Sequence, residues 1–219
     1  MILAIGIAKA GSNTVSVISQ QRPVERRNCL VIDAGHGGID GGATSCTGVL
    51  ESQINLEISL RLDDLFHLLG YDTVMIRKTD ESVYTEGTTI AAQKISDLKE
   101  RVRICNQTEN AVLISIHQNT FSDSRYKGAQ VFYACTDGSE RLAKCIQQEI
   151  ISTLNPGSNR RVKKADHVYF MKNITCTGVL IECGFLSNPE EEAKLRNPEY
   201  QKKLCAVIAS SCSLYLAEA

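Results

Sequence analysis

Residues 28–42, with the sequence NCLVIDAGHGGIDGG, join an apolar segment to a glycine-rich loop. The first seven of them, Asn28–Ala34, are rich in aliphatic and β-branched side chains, which predicts a β-strand. The glycines that follow allow the backbone to turn tightly and leave open space beside His36. The stretch therefore predicts a first strand with a histidine just beyond its carboxyl end.

Short β-branched segments and helical patterns alternate over the rest of the chain. We predict strands at Asn28–Ala34, Tyr71–Arg77, Ala111–His117, Ala129–Ala134, around Val168–Met171 and at Gly178–Glu182. We predict helices at Glu51–Leu69 with Gly70 as its stop, around Ile95–Cys105, at Ser139–Leu154, after Asn188, and from Asn197 to about Leu216. The polar stretch 78–93 is long enough for a functional loop. This alternation predicts a single α/β domain, with a mostly parallel, twisted sheet of about six strands and helices on both faces.

Composition and charge exclude several classes of protein. The 219 residues are 43% hydrophobic and 22% charged, which suits a folded globular domain. Lys and Arg number 24 against 25 for Asp and Glu, so no overall basic field favours nucleic acid as a partner. The sequence contains no run of 18 apolar residues, so it predicts no membrane-spanning helix. The nine cysteines form no CxxC pair, and we expect free core thiols rather than a disulfide framework.

The first 27 residues differ from the rest. Ile2–Ala8 is apolar and has the length of a signal-peptide core, and residues 8–10 resemble a cleavage site, although no basic segment precedes them. Residues 12–27 are polar, as in an exposed linker. We expect residues 1–27 to be a signal or anchor remnant and linker, with a frayed strand or helix as the alternative, and residues 28–219 to be the catalytic domain.

Four polar residues mark the edge of the sheet where α/β proteins bind ligands, beyond the carboxyl ends of the strands. His36 follows the first strand, while His117 and Glu182 end two others; Glu51 begins the long helix. Two histidines and one carboxylate are a ligand set of catalytic zinc sites. Each histidine taken singly is more often structural, so residue type and position alone leave both interpretations open.

Glu182 ends an apolar strand, where an unpaired charge would be costly unless it meets a metal site, a cation or water. It is therefore the candidate general base. Strand alternation directs Cys183 to the opposite face, where we expect it to pack rather than react. Of the remaining histidines, His67 near a helix end is expected at the surface. His167 is a candidate to line the cleft at this edge of the sheet.

Four segments in a fixed order resemble the zinc-dependent N-acetylmuramoyl-L-alanine amidases of peptidoglycan. They are VIDAGHGG (31–38), GVLESQINLEIS (48–59), LISIHQN (113–119) and VLIECGFLSNPEE (179–191). The resemblance covers about residues 28–217. It implies that His36, Glu51 and His117 hold Zn²⁺ and that Glu182 is the catalytic glutamate. Departures from the usual pattern occur at Ala34, Ser52-Gln53 and Gln118.

Within this family, TEGT (85–88), GAQVFYA (128–134) and the lack of wall-binding repeats look most like the sporulation amidases. That resemblance implies an exported enzyme of the cell envelope or forespore intermembrane space. It would prepare spore-cortex peptidoglycan for muramic-δ-lactam formation, with a consequence for germination. It allows an accessory activator protein and an N-terminal membrane anchor.

Two other functions stay open: a zinc carboxypeptidase acting on the stem peptide, and a non-catalytic wall-binding protein. The basic run formed by Arg160, Arg161, Lys163 and Lys164 is expected to be a solvated charged face, with contact to stem-peptide carboxylates as the alternative.

Overall fold

A computed structural model describes residues 28–218, so the leader and linker predicted for residues 1–27 lie outside the described part. Along the chain the elements are β1 (Cys29–Ala34), α1 (Glu51–Leu68), β2 (Asp72–Met75), α2 (Ile90–Gln107), β3 (Ala111–Asn119), β4 (Gln130–Tyr133), α3 (Ser139–Thr153), β5 (Lys163–Lys164), α4 (Tyr169–Asn173), β6 (Thr177–Phe185), α5 (Pro189–Leu195) and α6 (Pro198–Ala217). Within residues 28–218, no helix is long and apolar enough to span a bilayer.

The six strands form one sheet in the order β2-β1-β3-β6-β4-β5. Strands β1, β2, β3 and β6 are parallel, whereas β4 pairs antiparallel with β6, and β5 runs parallel to β4. The predicted fold class, an α/β domain with a mostly parallel sheet of six strands, is confirmed. Because β1, β3 and β6 are neighbours, their carboxyl ends meet at one edge of the sheet.

Alternate residues of the central strands fill two apolar cores. Leu30 and Ile32 face the larger core, which the helices α1, α3 and α6 cover. Val31 faces a smaller core on the other side of the sheet, to which α2 contributes Cys105 and α4 contributes Phe170. Helices therefore cover both faces, and this leaves the carboxyl edge of the sheet as the place for a site.

The predicted helix boundaries hold where capping residues mark them. Asn188 and Asn197 accept hydrogen bonds from backbone N–H groups in the first turns of α5 and α6, and Pro189 and Pro198 begin these helices. Gly70 ends α1 with φ +83°, and its N–H donates to a carbonyl of the last turn at 3.0 Å. Helix α2 begins earlier than predicted, at Ile90, because Thr89 caps it; the irregular stretch therefore ends at residue 89.

The strand predicted around Val168–Met171 is wrong, because these residues enter the short helix α4. Phe170, Met171 and Ile174 are buried at helical spacing, whereas a short run of apolar letters does not distinguish a strand from a buried helix. The sixth strand is instead β5, which consists of two exposed lysines. Charged residues commonly protect the edge strand of a sheet, so hydrophobic patterning gives no signal for it.

All nine cysteines lie in the described part of the chain as free thiols, but the expectation that they pack in the core is met only in part, since Cys46 and Cys135 are exposed. Cys105, Cys183, Cys205 and Cys212 are buried. They act there as small apolar side chains.

Two leucines of α1 provide a test of the core. Leu62 is fully buried, whereas 82% of Leu68 is exposed. We predict that Leu62→Ala lowers the free energy of unfolding by about 2–5 kcal/mol, because it removes buried methyl groups and leaves a cavity. The matched change Leu68→Ala should alter it by less than about 0.5 kcal/mol. Urea unfolding measures both, and equal effects would contradict this packing.

Candidate metal and catalytic site

Neighbouring elements bring four polar side chains to the carboxyl edge of the sheet. His36 follows β1 and His117 lies near the end of β3, which is paired with β1. His117 is directly opposite Glu182 in the pairing of β3 with β6. Glu51 is the first residue of α1. The structure thus assembles residues that are up to 146 positions apart in the sequence.

Glu51 lies between the two histidines. His36 Nε2 is 3.4 Å from Glu51 Oε2, and His117 Nδ1 is 3.0 Å from Glu51 Oε1. The imidazole rings approach edge to face, with centroids 5.0 Å apart. One potential ligand atom from each of the three residues lies within 4.8 Å of the others. This spacing allows one ion to contact all three.

The carboxylate of Glu51 is buried, with only 4% of the side chain exposed. Backbone N–H groups of Ala43 and Gln118 donate to its two oxygens at 2.9 and 3.0 Å. The amide of Asn55, one turn along α1, donates to Oε1 at 3.3 Å. These donors fix the carboxylate, but none of them carries a positive charge. The charge compensation must come from the histidines or from a bound cation.

The ionisation of the cluster follows from this arrangement. Burial alone would raise the pKa of Glu51, but hydrogen bonds and charge from His117 and His36 outweigh it and hold that pKa far below its usual range. Burial alone would lower the pKa of His36, yet its contacts with Glu51 and Asp40 raise it to about 9. In the absence of a metal ion, the cluster therefore carries an ionised carboxylate next to an imidazolium.

A second carboxylate orients His36. Asp40 Oδ2 is 2.9 Å from His36 Nδ1, and Lys94 contacts the other oxygen of Asp40 at 2.8 Å. Nε2 of His36 is thereby directed towards Glu51. Carboxylates commonly hold the second nitrogen of metal-binding histidines in this way. His36 also has φ +62°, a conformation that non-glycine residues rarely adopt and that surrounding contacts must maintain.

Two buried arginines supply contacts that hold the His36 loop. Arg77 Nη2 donates to the carbonyls of Gly35 and Ser52, at 3.0 and 2.8 Å. Arg101 Nη2 donates to the carbonyl of His36 at 2.7 Å. Neither arginine could be predicted from the sequence, because nothing in the pattern of a strand end or a helix marks a side chain that turns under a loop.

Arg101 is itself neutralised by Asp33, the last polar residue of β1. Ser115 on β3 also donates to Asp33, at 2.6 Å. Burial would raise the pKa of Asp33, but the charge of Arg101, that of His117 and the bond from Ser115 keep it below its usual value. This buried ion pair connects β1, β3 and α2 directly beneath the site.

Glycine is required where the loop approaches the cluster. A Cβ on Gly35 would lie 2.2 Å from His117 Nε2, and one on Gly42 would lie 2.7 Å from Glu51 Oε2. Gly42 also has φ +68°. The backbone of the glycine-rich loop therefore packs directly against His117 and Glu51, two residues of the cluster.

Glu182 differs from Glu51 in lacking donors. Its Oε2 is buried without a hydrogen-bond partner among the described residues. Burial raises its pKa to about 6; the charge of Glu51 also raises it, whereas His117 and His36 lower it by less. A carboxylate with an unsatisfied oxygen next to His117 can take up and release a proton near neutral pH. Cys183 packs in the core on the opposite face, as strand alternation predicts.

The other two histidines lie elsewhere. His67 is exposed near the end of α1, as expected, and contacts Thr73 Oγ1 at 3.0 Å. The expectation that His167 lines the cleft is wrong: the cavity beside His36 and His117 is lined by its neighbour Val168 but not by His167, whose side chain is 71% exposed. Helix α4 begins just after His167 and buries the apolar residues that follow instead.

The donor set of the cluster fits zinc. Two imidazole nitrogens and one carboxylate oxygen suit Zn²⁺, whereas Mg²⁺ and Ca²⁺ prefer oxygen ligands throughout. Three protein ligands leave a coordination position free, as in catalytic rather than structural zinc sites. Glu182, which carries the unsatisfied oxygen, lies directly opposite His117 in the pairing of β3 with β6.

The departures from the family pattern lie around the cluster. The side-chain amide of Gln118 donates to Asn55 Oδ1 at 3.1 Å, and so supports the residue that holds Glu51. Ser52 contributes its backbone carbonyl to Arg77. None of these positions replaces one of the four candidate residues.

Comparison with known proteins agrees with this architecture. The family description N-acetylmuramoyl-L-alanine amidase matches residues 30–213. A germination-specific N-acetylmuramoyl-L-alanine amidase of Bacillus subtilis (strain 168) is 37% identical over 191 residues, which cover 86% of this chain and 80% of that protein.

Solved structures show the same fold. The CwlD amidase from Clostridioides difficile, solved in complex with the GerS lipoprotein, has a TM-score of 0.84 at 37% identity, over 88% of this chain and 100% of that one. An N-acetylmuramoyl-L-alanine amidase from Clostridium difficile 630 has a TM-score of 0.76 at 30% identity, over 87% and 97%. The chain belongs to the N-acetylmuramoyl-L-alanine amidase family, which confirms the resemblance found in its sequence.

The raised pKa of Glu182 predicts a pH-dependent stability in protein freed of metal by a chelator. The native state holds the proton of Glu182 up to about pH 6, whereas an unfolded chain loses it near 4.5, so ionisation destabilises the fold as pH rises through this interval. We predict that Glu182→Gln removes this penalty and stabilises the metal-free protein by up to about 2 kcal/mol at pH 7.5.

At pH 4 the two proteins should have equal stability, because both carry a neutral side chain. Urea unfolding at the two pH values checks this. A variant that is no more stable than the wild type at pH 7.5 would contradict the buried, unsatisfied state of Glu182.

Proposed function

We propose that this protein hydrolyses the amide bond between the lactyl group of N-acetylmuramic acid and L-alanine in peptidoglycan. Zn²⁺ would be held by His36, Glu51 and His117, with Glu182 as the catalytic acid and base. The observation that carries the proposal is the buried carboxylate of Glu51 between two histidines, beside a second carboxylate with an unsatisfied oxygen. Family membership supports the choice of bond.

Each residue has a distinct task in this mechanism. When bound, zinc supplies Lewis acidity, which polarises the amide carbonyl and allows water to lose a proton near neutral pH. Glu182, with a pKa of about 6, is ionised at neutral pH and accepts the proton of the attacking water. The oxygen of this water forms a bond to the carbonyl carbon. Glu182 then delivers the proton to the amide nitrogen, and the C–N bond breaks to release the amine of L-alanine.

The remaining residues act through position. Asp40 and Lys94 hold His36, while Arg77 and Arg101 hold the backbone of its loop. No side-chain nucleophile is required, which agrees with the burial of Cys183 on the other side of the sheet. Hydrolysis leaves a free lactyl carboxylate on the sugar and a stem peptide that begins with free L-alanine.

We extend the proposal to spore-cortex maturation and germination. The support is the 37% identity to a protein named for germination-specific activity. The free lactyl carboxylate is the group that closure of a muramic δ-lactam needs. This role requires export to the cell envelope or forespore intermembrane space, with residues 1–27 as a signal or membrane-anchor remnant and residues 28–219 as the zinc amidase domain.

We also propose an accessory activator protein. The similar CwlD amidase was solved in complex with the GerS lipoprotein, which supports a protein partner for an amidase of this kind.

Analysis of products by mass spectrometry tests the reaction and separates it from the two alternatives. Incubation with a muramyl tetrapeptide should release intact tetrapeptide and N-acetylmuramic acid. Loss of a single terminal D-amino acid would identify a carboxypeptidase. Binding without any product, in zinc-loaded protein, would identify a wall-binding protein. Both of these results would contradict the proposal.

Glu182→Gln separates catalysis from metal binding. The amide keeps the shape of the side chain but cannot accept the water proton. We predict a fall in turnover of about 10²–10⁴-fold with zinc content unchanged. Turnover within a few fold of wild type would show that another group is the base. Loss of zinc would show that Glu182 belongs to the metal site, contrary to the division into three ligands and one base.

Removal of one ligand tests the metal site directly. His117→Ala should lower bound zinc from one ion per chain to well below it, as measured by elemental analysis of folded protein. His67→Ala is the matched control, because His67 is exposed and outside the cluster, and it should leave the zinc content at the wild-type value. Unchanged zinc in a folded His117→Ala protein would contradict the assignment.

A further inference from the structure

A cleft of about 1060 Å³ lies beside β4, between the segment around Arg160 and the start of α5. None of the four candidate catalytic residues lines it. Its walls carry six cationic side chains: Arg125, Lys127, Arg160, Arg161, Lys163 and Lys194. Only three carboxylates line the same cleft, so the cleft has a net positive charge, which is complementary to an acidic ligand.

The pairing of these charges leaves most cations free. Asp123 pairs with Arg125, at 2.7 Å. Glu191 is buried and accepts backbone N–H groups of Gly128 and Phe185, at 2.8 and 2.9 Å. In residues 28–218 no carboxylate lies within 4 Å of the charged groups of the other five cations, and Glu190 is likewise unpaired. A concentration of unpaired cations in a concave surface attracts anionic ligands.

The cleft adjoins the catalytic edge through Gln130. In the antiparallel pairing of β4 with β6, Gln130 is directly opposite Glu182, and paired residues project from the same face of a sheet. The buried Gln130 side chain donates to the backbone carbonyl of Arg161 at 2.7 Å and accepts from Arg160 Nη1 at 3.0 Å. The basic segment is thus attached to the strand next to Glu182.

Arg160 is held in the cleft by contacts with Lys127, Gln130 and Phe185. Its Nε donates to the carbonyl of Lys127 at 2.8 Å, and its guanidinium lies 4.7 Å from the ring centre of Phe185. Two of its five N–H donors are used by the protein and three are free. A guanidinium that is fixed on an aromatic ring and has no carboxylate partner is preorganised to bind one.

The composition of a stem peptide suits this placement. Gln130 lies directly opposite Glu182 and accepts a hydrogen bond from Arg160 Nη1, so Arg160 contacts the strand that adjoins Glu182. When the first amide of a stem peptide lies at Glu182, its first residue, L-alanine, has no free carboxylate, so the second residue is the first that can pair with Arg160. In a peptidoglycan stem this residue is a γ-linked D-glutamate, which carries a free α-carboxylate.

We propose that this basic cleft binds the stem peptide and that Arg160 selects substrates by pairing with the free α-carboxylate of the second stem residue. The inference rests on the proposed function, because it takes the scissile amide to lie at Glu182. Arg160 is a specificity-determining residue, and the other unpaired cations bind the carboxylates further along the peptide. The cleft would discriminate against stem peptides in which these carboxylates are amidated.

Two muramyl peptides that differ only in this group test the proposal: one with the α-carboxylate of D-glutamate free, and one with the carboxamide. The wild type should cleave the acid with a kcat/KM about 10-fold higher than that for the amide. Arg160→Gln should reduce this preference to within 2-fold, mainly through KM for the acid. Arg160→Lys keeps the positive charge but lacks the planar guanidinium with its paired N–H donors, so it should retain part of the preference for the acid.

Arg103→Gln is the matched control, because Arg103 is an exposed arginine of α2 outside both the cluster and the cleft, and it should keep the full preference. If Arg160→Gln proves unfolded by circular dichroism, the exposed positions Lys127→Gln and Arg161→Gln together replace it. A folded variant with the wild-type preference would overturn the proposal, as would a wild type without preference.

A binding measurement separates this proposal from the reaction itself. The free tripeptide L-Ala-γ-D-Glu-diaminopimelate should bind to the full chain, by calorimetry, about 10-fold more weakly after Arg160→Gln, whether or not the enzyme cleaves its substrate. If neither muramyl peptide is cleaved but this difference in binding is found, the proposed function fails and the cleft assignment stands. Equal binding of the tripeptide to both proteins would overturn the cleft assignment.

Discussion

The buried carboxylate of Glu51 is the constraint around which the site is built. It lies between His36 and His117, its hydrogen-bond donors from the backbone and Asn55 are neutral, and no Lys or Arg of residues 28–218 pairs with it. A buried anion of this kind requires a compensating cation. Protonated histidine can fill this role in the absence of metal, and a divalent ion bound by the three residues fills it better, because it also contacts both imidazoles. The site therefore has an electrostatic reason to bind a metal ion.

The fold places this anion by means of a second buried charge pair. Asp33 and Arg101 connect β1 with α2, and Arg101 continues to the carbonyl of His36. The left-handed backbone of His36 is kept in place by this contact, while the absence of a side chain on Gly35 lets the ring of His117 approach. Sheet order then determines the rest: β6 lies next to β3 and supplies Glu182, and β4 lies next to β6 and supplies Gln130. The catalytic edge and the basic cleft are therefore formed by neighbouring strands of one sheet.

The sequence predicted the parts of this arrangement that have local signals. Strands β1, β3 and β6 are continuous apolar segments, and the capped starts of α5 and α6 carry Asn-Pro, so these elements and the four candidate residues at their ends could be found. Features that depend on tertiary contacts could not be predicted from the sequence. The two-lysine strand β5 has no hydrophobic pattern, α4 is too short to show a period, and Arg77 and Arg101 look like surface residues until the loop covers them. The basic run around Arg160 was expected to be a solvated face, and only the fold reveals that it lines a cleft beside the catalytic strand.

In the proposed site, His36, Glu51 and His117 hold one zinc ion, and Glu182 lies beside it as an uncoordinated carboxylate. Diffraction at the zinc absorption edge, from crystals of the zinc-loaded protein, measures this most directly. This arrangement predicts a single anomalous peak bonded to one nitrogen of each histidine and to Glu51, with one position left for solvent and no bond to Glu182. A peak at any other group, or a zinc ion coordinated by Glu182 as a fourth protein ligand, would contradict it.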